Sequence, residues 1–349
     1  MRRSRSATRC VSAQNRRHIR IQPQFLVDMY HPRYTWSTDE EAKQRYHQAE
    51  DHSHHCNLCP HKCNVDRYKE TGYCMIGAKA LVSNIGPHLG EESCSIGTGG
   101  SGTIFFSGCN SRCVFCQNYD ISHVAQGEKL GPEELADWMI KSQDVGRCPN
   151  INLVTPEHVV PIVAQAILCA RDKGLKVPIV YNTSAFDALE SLDSLHNSVD
   201  IYMPDFKVWE PKTAARLLKS SAYPEHAKQS IKKMHEQVGN LKFTFDGLAL
   251  TGVLVRHLVM PHYIEESKQI MRWIAENLGK DTFVHIMEQY FPHAHVGKPK
   301  RGKNKDPEDV RYAEINRPIR SSEYEEVVAE AKRVGLWRFE NADEYGLYA

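Results

Sequence analysis

From about residue 99 onward, the apolar positions of this 349-residue chain fall into short runs separated by longer amphipathic stretches. The runs at 103–107, 151–154, 178–181, 200–203, 253–259 and 283–287 are rich in β-branched and aromatic residues and have strand length. Helix signals lie between them. Gly131-Pro132-Glu133-Glu134 places a proline early and acids in the first turn. Thr155-Pro156-Glu157 reads as another start, with Gly174 as its stop. Further helices are expected at 187–195, 211–219, 224–238, 264–278 and 323–334, the last carrying Tyr324, Val327, Val328 and Ala331 at i, i+3, i+4 and i+7. Six strands alternating with helices imply an α/β fold with a parallel sheet and right-handed crossovers. Such a sheet is either open and doubly wound or curled into a partial barrel, and periodicity does not choose between them. In both cases ligands sit at the carboxyl ends of the strands.

The pattern divides the chain into four parts. Residues 1–50 are polar without a steady period and read as a leader or extension. Residues 51–98 are rich in Cys, His and Gly and look loop-dominated. Residues 99–340 form the α/β core domain, and 341–349 a tail. The stretch 295–311, with Lys298, Lys300, Arg301, Lys303 and Lys305, reads either as a solvated loop or as a contact for an acidic partner.

Composition narrows the function classes. Hydrophobic residues make up 41% and charged residues 25%, so a core of ordinary size is expected. The net charge of +1 hides seven arginines and no acid in residues 1–27. The remainder is mildly acidic, which argues against a nucleic-acid partner. No apolar run approaches the roughly 18 residues of a membrane span. The longest, 159–170, stops at Arg171. An Arg- and Ser-rich, acid-free start fits a mitochondrial transit peptide or a basic tail, so a cytoplasmic or mitochondrial location is expected.

The chain has eleven cysteines and no secretion signal, and most cysteines are clustered, which favours metal over disulfides. Cys109-x3-Cys113-x2-Cys116 directly follows the first predicted strand. Thiolates are the usual ligands of iron–sulfur clusters, and four-cysteine carriers leave no iron open. Three cysteines leave one iron free to bind a substrate or cofactor. A structural zinc with His123 as fourth ligand is the alternative.

Cys-x3-Cys-x2-Cys with Phe115 before the last cysteine resembles the radical S-adenosylmethionine (SAM) superfamily. Its continuation Cys116-x-Asn118-x-Asp120 is similar to pyruvate formate-lyase activating enzymes and their relatives. The resemblance implies a partial (β/α)6 TIM-like barrel after a small Cys-rich N-terminal segment, a [4Fe-4S] cluster on Cys109, Cys113 and Cys116, SAM, and an electron donor. It also implies reductive cleavage of SAM to a 5′-deoxyadenosyl radical that abstracts hydrogen from a substrate, protein or small molecule. By the same resemblance Phe115 would lie near the adenine, Asp205 and Lys207 at the amino-acid end of SAM, and Asn182 and Ser184 near the ribose. As bare residues, Asn182 and Ser184 also suit a turn or cap, and Lys207 a solvated position. The chain departs from the family at Val154-Thr155-Pro156-Glu157, where relatives carry Gly-Gly-Glu.

Cys56, Cys59, Cys63 and Cys74 supply four more thiols, with His54, His55 and His61 interleaved and Cys94 as a further candidate. They suit structural zinc or an auxiliary iron–sulfur cluster. Cys148 and Cys169 read as buried thiols, and Cys10 carries no role. No catalytic acid or base can be assigned. Arg256, His257, His262, Glu288, Tyr290, His293 and His295, at the ends of the last two strands, are candidates for substrate contacts or structural polar groups. The competing readings are a non-catalytic interaction module with zinc at both cysteine clusters, and an electron carrier.

Overall fold

A computed structural model describes residues 21–300 and 309–340. The arginine-rich start, Cys10, Arg301, Lys303, Lys305 and the tail 341–349 lie outside the described residues. Ten strands form one sheet: β1 Ala80–His88, β2 Ser101–Phe106, β3 Glu128–Leu130, β4 Ile151–Val154, β5 Ile179–Thr183, β6 Ile201–Pro204, β7 Lys242–Phe243, β8 Ala249–Leu258, β9 Phe283–Met287 and β10 Arg338–Phe339. Seven of them, β2, β4, β5, β6, β8, β9 and β10, pair in parallel in that order. β1 adds antiparallel to the outer edge of β2, and β3 to β1. β7 pairs antiparallel with β8.

Side chains along the parallel strands alternate strictly between two cores. Ile179 and Tyr181, Tyr202, Val253 and Val255, and Val284 and Ile286 face the helices and join the larger core. Val180, Ile201 and Met203, Leu254 and Phe283 meet one another on the other face, with Phe243 and Cys94. Strands far apart in the sheet order therefore share one interior, so the sheet curls into an open, partial barrel. This settles the choice that periodicity left open. Pairing across β4 and β5 sets Asn152 beside Val180, hence also toward the interior.

The six strands expected from sequence match β2, β4, β5, β6, β8 and β9, with helices Pro132–Asp144, Val160–Asp172, Leu189–Ser194, Pro211–Leu217, Tyr223–Val238, Ile264–Asn277 and Ser321–Arg333 outside. Thr155-Pro156-Glu157 does not open the next helix. Thr155 has φ +59° and the helix begins at Val160, with Pro161 in its first turn. Gly174, at φ +95°, follows its end as expected.

Two stretches carry more structure than the sequence suggests. The polar extension holds a helix, Asp39–His54, opened by a capping box in which Thr38 and Glu41 exchange hydrogen bonds. The Cys-rich segment contains β1 and, after it, a turn of helix at Ser93–Ile96. That turn sits inside the barrel. Cys94 belongs to the interior cluster, Asn150 Nδ2 donates to Ser95 O at 2.6 Å, and Ser93 N donates to Glu340 Oε1 at 2.6 Å. The connection from β1 to β2 thus forms the barrel's floor. Among the described residues no helix is long and apolar enough to cross a membrane.

Candidate functional site

The three-cysteine loop leaves the carboxyl end of β2 through Gly108, whose φ is +77°. A Cβ there would lie 2.5 Å from Cys74 O and 2.6 Å from Ile76 Cγ1, so only glycine fits. The loop is then pinned from outside. Val114 N donates to Leu217 O at 2.9 Å, and His295 N donates to Val114 O at 2.9 Å. Cys109 and Cys113 are buried and Cys116 partly so. All three line a cavity of about 420 Å³ over the carboxyl ends of the strands.

Phe115, Asn182, Ser184, Asp205 and Lys207 line the same cavity. Chain segments up to a hundred residues apart are thus brought together around the thiols. Lys207 is not a solvated lysine: Nζ donates to Asp205 Oδ2 at 2.6 Å with its side chain 18% exposed. Asn182 and Ser184 are buried and bonded inward. Asn182 Oδ1 accepts from Arg256 Nη2 at 2.6 Å, and Ser184 Oγ donates to Glu157 Oε1 at 2.6 Å.

Arg256 ties the floor to the walls. Its Nε donates to Asp205 Oδ1 at 2.7 Å and its Nη1 to Glu92 Oε1 at 3.2 Å. Burial alone would raise both acids, but Arg256 and Lys207 hold Asp205 below its usual range. Arg256 and His285 likewise hold Glu92 at about 2. Burial instead pushes Glu157 up, partly offset by Ser184. Burial also pushes Cys109 well above the usual thiol range and Cys113 up to about 12. A group that needs these sulfurs as thiolates must bring positive charge of its own.

Of the other candidates, Arg256 alone lines the cavity. His257 faces the helices, bonded to Phe206 O at 2.6 Å and Ser267 Oγ at 2.8 Å, and is structural. Tyr290 donates to Ile315 O at 2.8 Å and packs edge-on to Phe115. His262, Glu288 and His293 are exposed, and His295 packs beside Tyr119. Lys298 lies over the Tyr119 ring, and Lys300 pairs with Asp309. Sequence reasoning assigned no role to His88, Glu91, Glu92 or Asn152, and read Glu157 only within a helix start and a departure from the family motif. Only their placement in the barrel reveals them.

His123 does not complete a zinc site. Its Nδ1 bonds Ser122 Oγ at 2.7 Å, and the ring stacks on Tyr119. The second cluster is a set of tight turns, with Lys62, Asn64 and Met75 at positive φ. Cys56, Cys59 and Cys74 are buried there beside Cys63. The histidines interleaved in sequence turn elsewhere: His61 Nε2 bonds Asn110 O at 2.7 Å, and His54 stacks on Tyr68. Cys94 is in the barrel interior and not with these thiols. Cys148 is buried, and Cys169 is partly buried and donates to Glu133 at 3.4 Å. Among the described residues, no three His, Cys, Asp or Glu side chains close on a point that a single metal ion could occupy.

Residues 103–274 match the model of the radical SAM superfamily. An uncharacterized protein of Methanocaldococcus jannaschii is 31% identical over 293 residues, 80% of this chain and 75% of its own length. Residues 103–274 form a radical SAM domain. Two solved structures are similar at a lower level. Streptococcus suis SuiB bound to precursor peptide SuiA has TM-score 0.42 and 13% identity over 66% of this chain, which spans 46% of SuiB. Native anSMEcpe with bound AdoMet has TM-score 0.42 and 11% identity over 68% of this chain and 62% of its own.

A radical SAM domain implies a [4Fe-4S] cluster and SAM. The donor set here fits them. Three thiols from one loop line one cavity and no fourth cysteine lines it, which suits a cluster with one iron left free of protein ligands. The cavity also offers an aromatic ring, buried hydroxyl and amide groups, and an ion-paired carboxylate and ammonium, a set matching the aromatic, polar and zwitterionic parts of SAM.

Proposed function

We propose that this protein is a radical SAM enzyme whose Cys109, Cys113 and Cys116 hold the [4Fe-4S] cluster, with SAM against Phe115, Asn182, Ser184, Asp205 and Lys207. The observation that carries the reading is the convergence of three buried cysteines from one loop with those five side chains on a single cavity. Bound there, cluster and SAM would supply a 5′-deoxyadenosyl radical that removes a hydrogen atom from the substrate. The chain's own residues position and enclose. The Asp205 carboxylate, kept ionised by Arg256 and Lys207, is an acceptor for an ammonium, and Lys207 a donor for a carboxylate. Phe115, backed by Tyr290, offers a flat apolar face. The finer likeness to pyruvate formate-lyase activating enzymes rests on Asn118, which lines the cavity, and Asp120, which is exposed.

The test is anaerobic reconstitution with iron and sulfide, followed by reduction and electron paramagnetic resonance with and without SAM. A cluster signal that shifts on adding SAM and disappears in Cys113→Ala is expected. A signal indifferent to SAM, or one unchanged in Cys113→Ala, would overturn the reading and leave the metal-binding module in its place.

A further inference from the structure

Below Arg256 the cavity ends on the segment 88–92, where the chain turns inward from β1 to form the floor. Glu91 lines this end, with its side chain 8% exposed. The charges around it do not balance. Arg256 and Lys207 serve Asp205 and Glu92 through close hydrogen bonds, and Arg256 reaches Glu91 only through space. The sole ion-pair neighbour of Glu91 among the described residues is His88, with Nδ1 3.3 Å away and out of hydrogen-bonding geometry. Three carboxylates thus stand against two permanent cations.

A second observation points the same way. Asn152 is fully buried and faces the interior from β4, near enough to Glu91 to act on its carboxyl. Yet its amide makes no hydrogen bond of ordinary length, only a weak one toward the Glu91 carboxyl, and its oxygen has no partner. A buried carboxamide with one end unmet and the other only weakly met is costly unless something fills the gap. The walls above are apolar: Phe105, Leu258, Met260 and Met287 line the same cavity.

We propose that this end of the cavity receives a cationic amine of the substrate, with the ammonium on Glu91 and Asn152 and its carbon stem along Phe105, Leu258 and Met287. The substrate class is then an amine-bearing molecule or side chain with an aliphatic stem. The inference rests on the function proposed above only in taking this cavity as the place where hydrogen is removed. Burial and the neighbouring Glu92 push the Glu91 carboxyl upward, a cost that a bound cation would relieve. SAM is itself cationic, but its proposed partner Asp205 is bonded to Arg256 Nε and to Lys207, whereas Glu92, the neighbour of Glu91, is bonded to Arg256 Nη1.

The test measures binding of n-hexylamine, 1-hexanol and hexanoate to the full chain, reconstituted and SAM-loaded, by saturation-transfer NMR and calorimetry. Wild type should bind the amine at least about tenfold more tightly than the alcohol, with hexanoate weakest. Glu91→Gln, close to isosteric, should bring amine and alcohol within about twofold while SAM affinity stays unchanged. The wild-type ranking needs no variant to fold. Equal binding of amine and alcohol by wild type overturns the proposal. So does an amine preference that survives Glu91→Gln, or a loss of SAM affinity in that variant as large as the loss of amine. An amine preference beside a SAM-indifferent cluster signal would sink the enzymatic reading and leave the amine receptor standing.

Discussion

Arg256 Nε donates to Asp205 Oδ1 at 2.7 Å, joining the carboxyl ends of the neighbouring strands β6 and β8. The same guanidinium holds Glu92 and Asn182, so one side chain fixes three acceptors from three parts of the chain. A lysine cannot reproduce that fork. Asp205→Ala should cost about 3–5 kcal/mol in urea unfolding, because Arg256 and Lys207 both lose their partner in a buried site. Arg256→Lys should also destabilise, whereas an interchangeable point charge would leave the midpoint unmoved.

Gly108 sits at φ +77° with no room for a Cβ. Gly108→Ala should cost more than about 2 kcal/mol, combining left-handed strain with a backbone clash. Because the displaced atoms carry Cys109, iron retained after reconstitution should fall together with stability. A variant that keeps wild-type iron would show that the turn does not set the loop.

The extension before the barrel is structural. Tyr34 is 1% exposed and its hydroxyl donates to Val177 O at 3.0 Å, while Arg33 N donates to Asp200 Oδ1 at 2.8 Å. Tyr34→Phe should cost about 1 kcal/mol and Tyr34→Ala about 3–5 kcal/mol in equilibrium unfolding. An unchanged midpoint in Tyr34→Ala would mean that residues 33–35 are not docked.

Glu323 gives a pH signature. Both its oxygens accept from Arg317, at 2.6 and 2.7 Å, and one also from Arg320 N at 2.9 Å. Arg317 foremost, against some burial, lowers its carboxyl from 4.5 to about 2. A depressed acid stabilises above its unfolded pKa and loses that stability as pH falls through its folded one. Wild type should therefore exceed Glu323→Gln by no more than about 1 kcal/mol at pH 7. The gap should close between pH 4.5 and 2. A gap that is constant with pH would rule out this assignment.

The barrel strands were legible because their residues obey a period of two against two apolar cores, as in Tyr202 flanked by Ile201 and Met203. The helix Asp39–His54 was not, because it buries only Ala42, Ala49 and Ser53. Neither small residues nor a serine make a periodic apolar stripe. β1 was hidden by its position as a flanking strand, where Ser83, Asn84 and Pro87 are exposed and dilute the alternation. The three cysteines, Phe115, Asn182, Ser184, Asp205 and Lys207 were legible because each follows a strand or belongs to a spaced motif. Glu91, Glu92 and Asn152 carry no such mark. Their meaning depends on a connection that folds into the interior, and no local pattern announces that.

That connection also decides what a fragment can do. The family match spans 103–274, so it begins after the floor segment and ends before β9 and β10. A piece cut to those limits would keep the three cysteines, Asp205, Lys207 and Arg256. It would lose Glu92, His285 and the Ser93–Glu340 contact that closes the bottom. Water would then reach Arg256 from below, and the cavity lined by the three cysteines would be open at its floor.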